Sequence, residues 1–258
     1  MELPRFDINS LIQKHSRKVF NLAYRITGNH QDAEDATQET FIQVHRNLHR
    51  FRGDSSISTW IYRIAVNSCL QVKRRLNKTY IDSLDETILE FKDDIPEDVR
   101  KWKDDPETAY LYDELLAEVQ RGCYHFITFR LTDEQRVVYI LKVILCFSLD
   151  EIAAILEINK NTVKARLHRA KTALGAYFGG RCQWAEGGGD CSCETRLGFA
   201  LSYAPEILRR LRNRPPDEKM KTVIHSALGG KVDIDAFYRN LPEEPYDPKE
   251  LQKYLQTA

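Results

Sequence analysis

Phe51–Arg75 reads FRGDSSISTWIYRIAVNSCLQVKRR, and the rest of the chain is best understood outward from it. A polar turn (Gly53, Asp54, Ser55, Ser56) feeds a stretch with two different faces. Trp60, Ile61, Ile64, Ala65 and Val72 recur at helical spacing and predict a helix with one side in a core. Arg63, Asn67, Gln71 and Arg74 or Arg75 recur four apart on another side, and Lys73–Arg74–Arg75 closes the stretch with a basic cluster. A helix with one apolar face and one Arg/Asn/Gln stripe can lie along a phosphate backbone. The same pattern also fits an ordinary solvated amphipathic helix, whose outer face is charged in any case.

Resemblance separates the two readings. The stretch resembles, over a long and nearly gap-free match, the promoter-melting segment of bacterial sigma factors of the extracytoplasmic-function (ECF) group. That resemblance implies capture of the non-template strand of the minus-ten element, with bases flipped into protein pockets. On this expectation Phe51, Arg52, Asp54, Arg63, Asn67, Arg74 and Arg75 contact minus-ten DNA. The residue types suit the task, because an unstacked base needs an apolar wall and a few hydrogen bonds to its edge. Phe51 and the turn after it supply such a wall, Asn67 offers both donor and acceptor, and the arginines neutralise phosphates. Trp60 lies on the apolar stripe and is expected to pack in the core.

The chain has 258 residues, 38 basic and 38 acidic, so its formal net charge is +0 and only the distribution of charge can point to nucleic acid. No apolar run approaches the roughly 20 residues that span a bilayer. MELPRFDINS has no apolar signal core, so a cytoplasmic location is expected. Six scattered cysteines do not frame a disulfide scaffold. Helical periodicity dominates, and the expected fold class is all-α: two helical DNA-binding domains joined by a linker, plus a small helical C-terminal domain.

Residues 1–80 form the first expected domain. A helix over 7–27 ends at Gly28 and Asn29 by a left-handed cap. The next, from His30 to Leu48, buries Ala33, Ala36, Phe41 and Val44 and turns acids and amides outward. Helix-dipole complementarity explains acids in a first turn. The segment also resembles the sigma segment that docks on the clamp helices of the polymerase β′ subunit, which would make Asp35, Gln38 and Glu39 the docking face. Residues 81–107 are rich in Asp and Glu and carry Pro96 and Pro106, which predicts a mostly extended linker.

The second expected domain covers 108–176. FSLDEIAAILEINKNTVKARLHRAKTAL, from Phe147 to Leu174, reads as helix-turn-helix: Ser148 and Glu151 suit a capping box, and Asn159 suits the cap of the next helix. Val163, Leu167, Ala170 and Leu174 face inward, leaving a basic outer surface with no acid from Asn159 to Leu174. A second helix of that kind enters a major groove. This half resembles sigma region four, which implies that Lys164, Ala165, His168 and Arg169 face base edges of a minus-thirty-five element, with Lys160, Arg166 and Lys171 nearer phosphates. The family usually has Pro where Thr132 stands and Gly at Cys146 and Glu157. Thr132 can still start a helix, Glu157 would be strained if its φ is positive, and burial would account for Cys146.

Residues 177–258 lie beyond the resemblance. Helices are expected around 195–203, 205–212, 217–228, 232–241 and, from an Asp cap, 247–255. Cys182, Cys191 and Cys193 could hold zinc or another soft ion, with Glu186, Asp190, His168 or His225 as a fourth ligand. They could equally be reduced thiols of an interaction domain or a redox pair. No nucleophile–base pair or phosphate-cradling loop emerges, so an enzyme is not expected. The chain is expected to be an alternative sigma factor with core RNA polymerase (β′ clamp helices and β subunit) and promoter DNA as partners. An anti-sigma partner and autoregulation by the extension are left open. The alternatives are a conventional helix-turn-helix regulator, which would have no use for Phe51–Arg75, and a metal- or redox-responsive switch protein, for which too few ligands cluster in the C-terminal region.

Overall fold

The computed structural model describes residues 6–75, 95–183, 188–203 and 234–240, together with 243, 246–249, 251, 252 and 255. Helices make up most of these residues, and the pairing of Cys182 with Cys191 is an isolated backbone bridge. Two compact units emerge, each assembled from separated stretches: residues 1–77, 131–171 and 243–258 form one, and 78–130 with 172–242 form the other.

The first unit opens with α1 (Ile8–Thr27), capped by Asp7, whose carboxylate accepts from the Ser10 N–H. Gly28 ends it at φ 96°, a left-handed conformation that lets its N–H reach the Tyr24 carbonyl. Asn29 then caps α2 (His30–Asn47) by accepting from the Asp32 N–H. Ser56 starts α3 (Ile57–Arg75), with the Thr59 N–H 3.0 Å from its Oγ. Ile12, Phe20, Ala33, Phe41, Ile61 and Ala65 are fully enclosed, so the three helices share one apolar interior.

The same interior continues into the helix-turn-helix region. α6 (Asp133–Tyr139) starts at a capping box formed by Thr132 and Gln135, then widens into a π-turn, Ile140–Ile144, where the Leu145 N–H reaches back to the Ile140 carbonyl. α7 (Leu149–Leu156) starts at the Ser148–Glu151 capping box, and Asn159 caps α8 (Lys160–Phe178). Val138, Ile140, Leu141, Ile152 and Val163 join the core of the first three helices. So do Leu251 and Leu255 from the far end of the chain, while Tyr246 stacks on Phe20 at 4.6 Å. Asp247 accepts from the Lys249 N–H, as expected of a cap there.

The second unit contains α4 (Glu97–Trp102), α5 (Ala109–Thr128), α9 (Leu197–Tyr203) and α10 (Ile234–Asn240). α4 corrects the expectation of an extended linker. Pro96 stands at its N-cap, where a missing N–H does no harm, and Val99 and Trp102, three residues apart, are buried with Leu111, Leu115, Leu116, Leu197 and Leu201. The apolar pair outweighs the acidic composition around it. The acidic stretch before residue 95 and the helices expected at 205–212 and 217–228 lie outside the described residues.

Candidate nucleic-acid interface

α3 presents the expected stripe. Asn67 and Arg74 are exposed, and Arg63 is half-buried; Arg75 is the last residue of the helix. Arg52 and Asp54 are exposed in the turn ahead of it. Phe51 is half-buried, edge-on to Phe6 at 5.7 Å and tilted against Trp60 at 5.5 Å. Trp60 therefore packs on the core side, as its place on the apolar stripe predicts.

Two cations of this stripe are already engaged. Arg63 donates through Nη1 to Glu157 Oε1 at 2.8 Å and through Nη2 to the Ala154 carbonyl at 2.7 Å. Lys73 pairs with Asp133. The partners lie in α7, the turn after it and the first turn of α6, so the helix-turn-helix segment packs against α3. Tyr62 of α3 meets Phe147 edge-on at 4.8 Å in the same contact. Asp133 also stands 3.6 Å from Arg136, whose side chain is 1 % exposed and donates to the carbonyls of Ile26 and Leu131. Burial pulls the Arg136 guanidinium down to about 10, with Asp133 opposing it, so it stays charged at neutral pH.

The backbone is left-handed at both positions where the resembling family has glycine, Glu157 in the turn between α7 and α8 and Cys146 ahead of α7. Glu157 has φ 53° and Cys146 φ 58°. A side chain in that region costs roughly 1–2 kcal/mol. Burial does not account for Cys146, because it is exposed; it sits where the chain reverses so that the Phe147 N–H reaches the Leu141 carbonyl. On α8, Lys160, Lys164, His168, Arg169 and Lys171 are exposed, Ala165 and Arg166 half-buried, and Val163 and Ala170 enclosed. Lys160 reaches Asp150 at 2.8 Å. On α2, Asp35 is exposed while Gln38 and Glu39 are half-buried, and Gln43 donates to Glu39 at 2.8 Å.

In the second unit, Cys182, Cys191 and Cys193 come together, and Cys123 of α5 joins them. Burial, and then the neighbouring thiols of Cys193, Cys191 and Cys182, push the Cys123 thiol up to about 12. Sequence reasoning missed Cys123 because nothing local marks it; its role depends on a chain return some sixty residues later, through the Gly-rich loop. Among the described residues no group of three or more His, Cys, Asp or Glu side chains is posed as a metal-ligand set. Glu186 and His225 lie outside the described residues.

These features have counterparts in known proteins. Residues 11–79 match the sigma-70 region 2 family and residues 130–174 the sigma-70 region 4 family. The chain is 33% identical to the ECF RNA polymerase sigma factor SigW of Bacillus subtilis, over 64% of its own length and 84% of the relative's. Identity to SigE of Mycolicibacterium smegmatis is also 33%, over 68% of this chain and 62% of the relative. A solved structure of the sigma factor RpoE with the anti-sigma factor NepR, from Bartonella quintana, aligns at TM-score 0.44 and 21% identity, covering 65% of this chain and 94% of that one. The chain belongs to the ECF group of sigma-70-type sigma factors. Within that group it is an alternative sigma factor, directing RNA polymerase to promoters.

Proposed function

We propose that this sigma factor rests in a closed state in which the helix-turn-helix segment covers part of the minus-ten stripe on α3, and that its C-terminal segment helps to hold that state. The capture of Arg63 by Glu157 and the Ala154 carbonyl carries the reading. In the open state Phe51, Arg52, Asp54, Arg63, Asn67, Arg74 and Arg75 take the minus-ten strand. Lys164, Ala165, His168 and Arg169 read the minus-thirty-five duplex, and Lys160, Arg166 and Lys171 hold its phosphates. Asp35, Gln38 and Glu39 dock core polymerase at the β′ clamp helices. The chain adds recognition and strand opening in the cytoplasm and no chemistry of its own.

The energetics suit a reversible closure. The side chains of Arg63 and Glu157 are 30% and 68% exposed, so their ion pair contributes at most about 1 kcal/mol. Apolar contacts, Tyr62 on Phe147 among them, supply more, and polymerase docking has to offset them. The C-terminal segment adds the Tyr246–Phe20 stack, buried Leu251 and Leu255, and a 3.0 Å pair between Arg17 and Glu243.

Run-off transcription with limiting core polymerase on a panel of genomic promoters tests this. Removing residues 243–258, or replacing Glu157 by Gly, raises transcript yield severalfold. Yields at or below wild type from a folded Glu157→Gly protein would refute the closure, and no transcript from any variant would refute promoter recognition.

A further inference from the structure

Cys182 and Cys191 face each other across the isolated bridge, with the Cys191 N–H 3.0 Å from the Arg181 carbonyl and the Gln183 N–H 3.1 Å from the Cys191 carbonyl. Backbones paired in this way run about 4.8 Å apart, inside the span of about 4.4–6.8 Å between Cα atoms that a disulfide accepts. The close return needs Gly189, since a Cβ there would collide with the Arg181 backbone. Arg196 donates from Nε to Cys191 Sγ at 3.1 Å. Burial works to lower that guanidinium's pKa, yet the hydrogen bond to Cys191, with the neighbouring Cys123 and Tyr177, raises it above its ordinary value.

The four thiols are not equivalent. Burial pushes Cys193 up to about 11, a hydrogen bond from Gln120 opposing it, and Cys123 stands at about 12, so both stay protonated at neutral pH. Cys191 receives the guanidinium's hydrogen bond. A fixed cation beside a sulfur stabilises the anionic form that attacks electrophiles.

We propose that Cys191 and Cys182 form a peroxide-reactive dithiol, with Cys191 as nucleophile, Cys182 as resolving thiol and Arg196 as positioning residue. The Cys191 sulfur, its proton released to solvent, attacks the terminal oxygen of a hydroperoxide. An S–O bond forms, the O–O bond breaks, and the alkoxide or hydroxide takes up a proton and leaves as alcohol or water. The sulfur is oxidised to a sulfenic acid and the peroxide is reduced. The Cys182 thiol gives up its proton and attacks that sulfur, the S–S bond forms, and hydroxide leaves with the proton as water.

The test uses the full chain with Cys146→Ser, which removes the exposed thiol ahead of α7. Treatment with hydrogen peroxide is expected to lower the titratable thiols by two, and peptide mapping to join Cys182 to Cys191. Cys182→Ser should trap a sulfenic acid at residue 191 that reacts with dimedone, while Cys191→Ser should give neither product. Arg196→Ala should slow the oxidation about tenfold and Arg196→Lys restore part of the rate. Equal oxidation of Cys191→Ser, a bridge that bypasses Cys182, or one equivalent of zinc bound through these thiols in the purified protein would overturn the assignment.

Discussion

Replacing Glu157 separates the strain in the helix-turn-helix turn from the contact it makes with α3. Glu157 sits at φ 53°, ψ 40°, and its carboxylate accepts from Arg63 at 2.8 Å. Both Glu157→Gly and Glu157→Ala delete the ion pair, which costs about 0.2–1 kcal/mol at this exposure. Ala keeps a side chain in the left-handed region and leaves its cost of about 1–2 kcal/mol in place. Gly relieves it, at an unfolded-chain entropy cost of about 0.5–1 kcal/mol. Gly is therefore expected within about 1 kcal/mol of wild type and Ala about 1 kcal/mol below Gly. Urea unfolding followed by far-UV circular dichroism measures both. Ala at or above Gly would refute the strain argument, and a Gly variant more than about 3 kcal/mol below wild type would show that the Arg63 contact is far stronger than its exposure allows.

Three further outcomes follow from the geometry. Losing Lys164 or Arg169 should relax preference at particular base pairs, at about 1–3 kcal/mol per bidentate contact, whereas losing Lys171 should weaken all sequences alike and flatten the salt dependence; a panel of scrambled minus-thirty-five duplexes separates them. Tyr246→Ala should cost about 1–2 kcal/mol by removing the ring stacked on Phe20, read as a lowered melting temperature. Burial first, then Lys14 and Lys18, hold the His15 pKa below its ordinary value. The unfolded chain therefore binds the extra proton. His15 contributes stability that is fully present above its unfolded value of about 6.5 and is lost as pH falls towards the folded value. His15→Gln should thus show a shallower stability loss than wild type between about pH 7.5 and 5.5; parallel curves would contradict this.

The parts of this molecule that were legible in the sequence are those set by neighbours a few residues apart. Asn159 and the Ser148–Glu151 box announce their helices because a cap needs one side chain and one N–H three residues on. Gly28 follows from the same local rules, whereas a left-handed Glu157 is suggested only by the glycine that the resembling family usually has there. The stripe of Arg63, Asn67 and Arg74 is a period, and periods survive translation into helices. What sequence reasoning missed joins distant stretches. Val99 and Trp102 are two apolar residues in an acidic run, and only the core they enter explains their helix. Asp133 for Lys73, Glu157 for Arg63, Tyr246 for Phe20 and Cys123 for the other thiols are pairings that chain order does not encode. Gln135, by contrast, could have been read three residues after Thr132 as the second half of a capping box.

The most direct test of the α3 assignment is permanganate footprinting of a promoter bound by core polymerase with wild type or with Asn67→Ala/Arg74→Ala. Both side chains are exposed, so the fold is left intact. Wild type is expected to make minus-ten thymines reactive, and the double variant to bind core polymerase normally while leaving them protected. Unchanged thymine reactivity in the double variant would contradict the assignment.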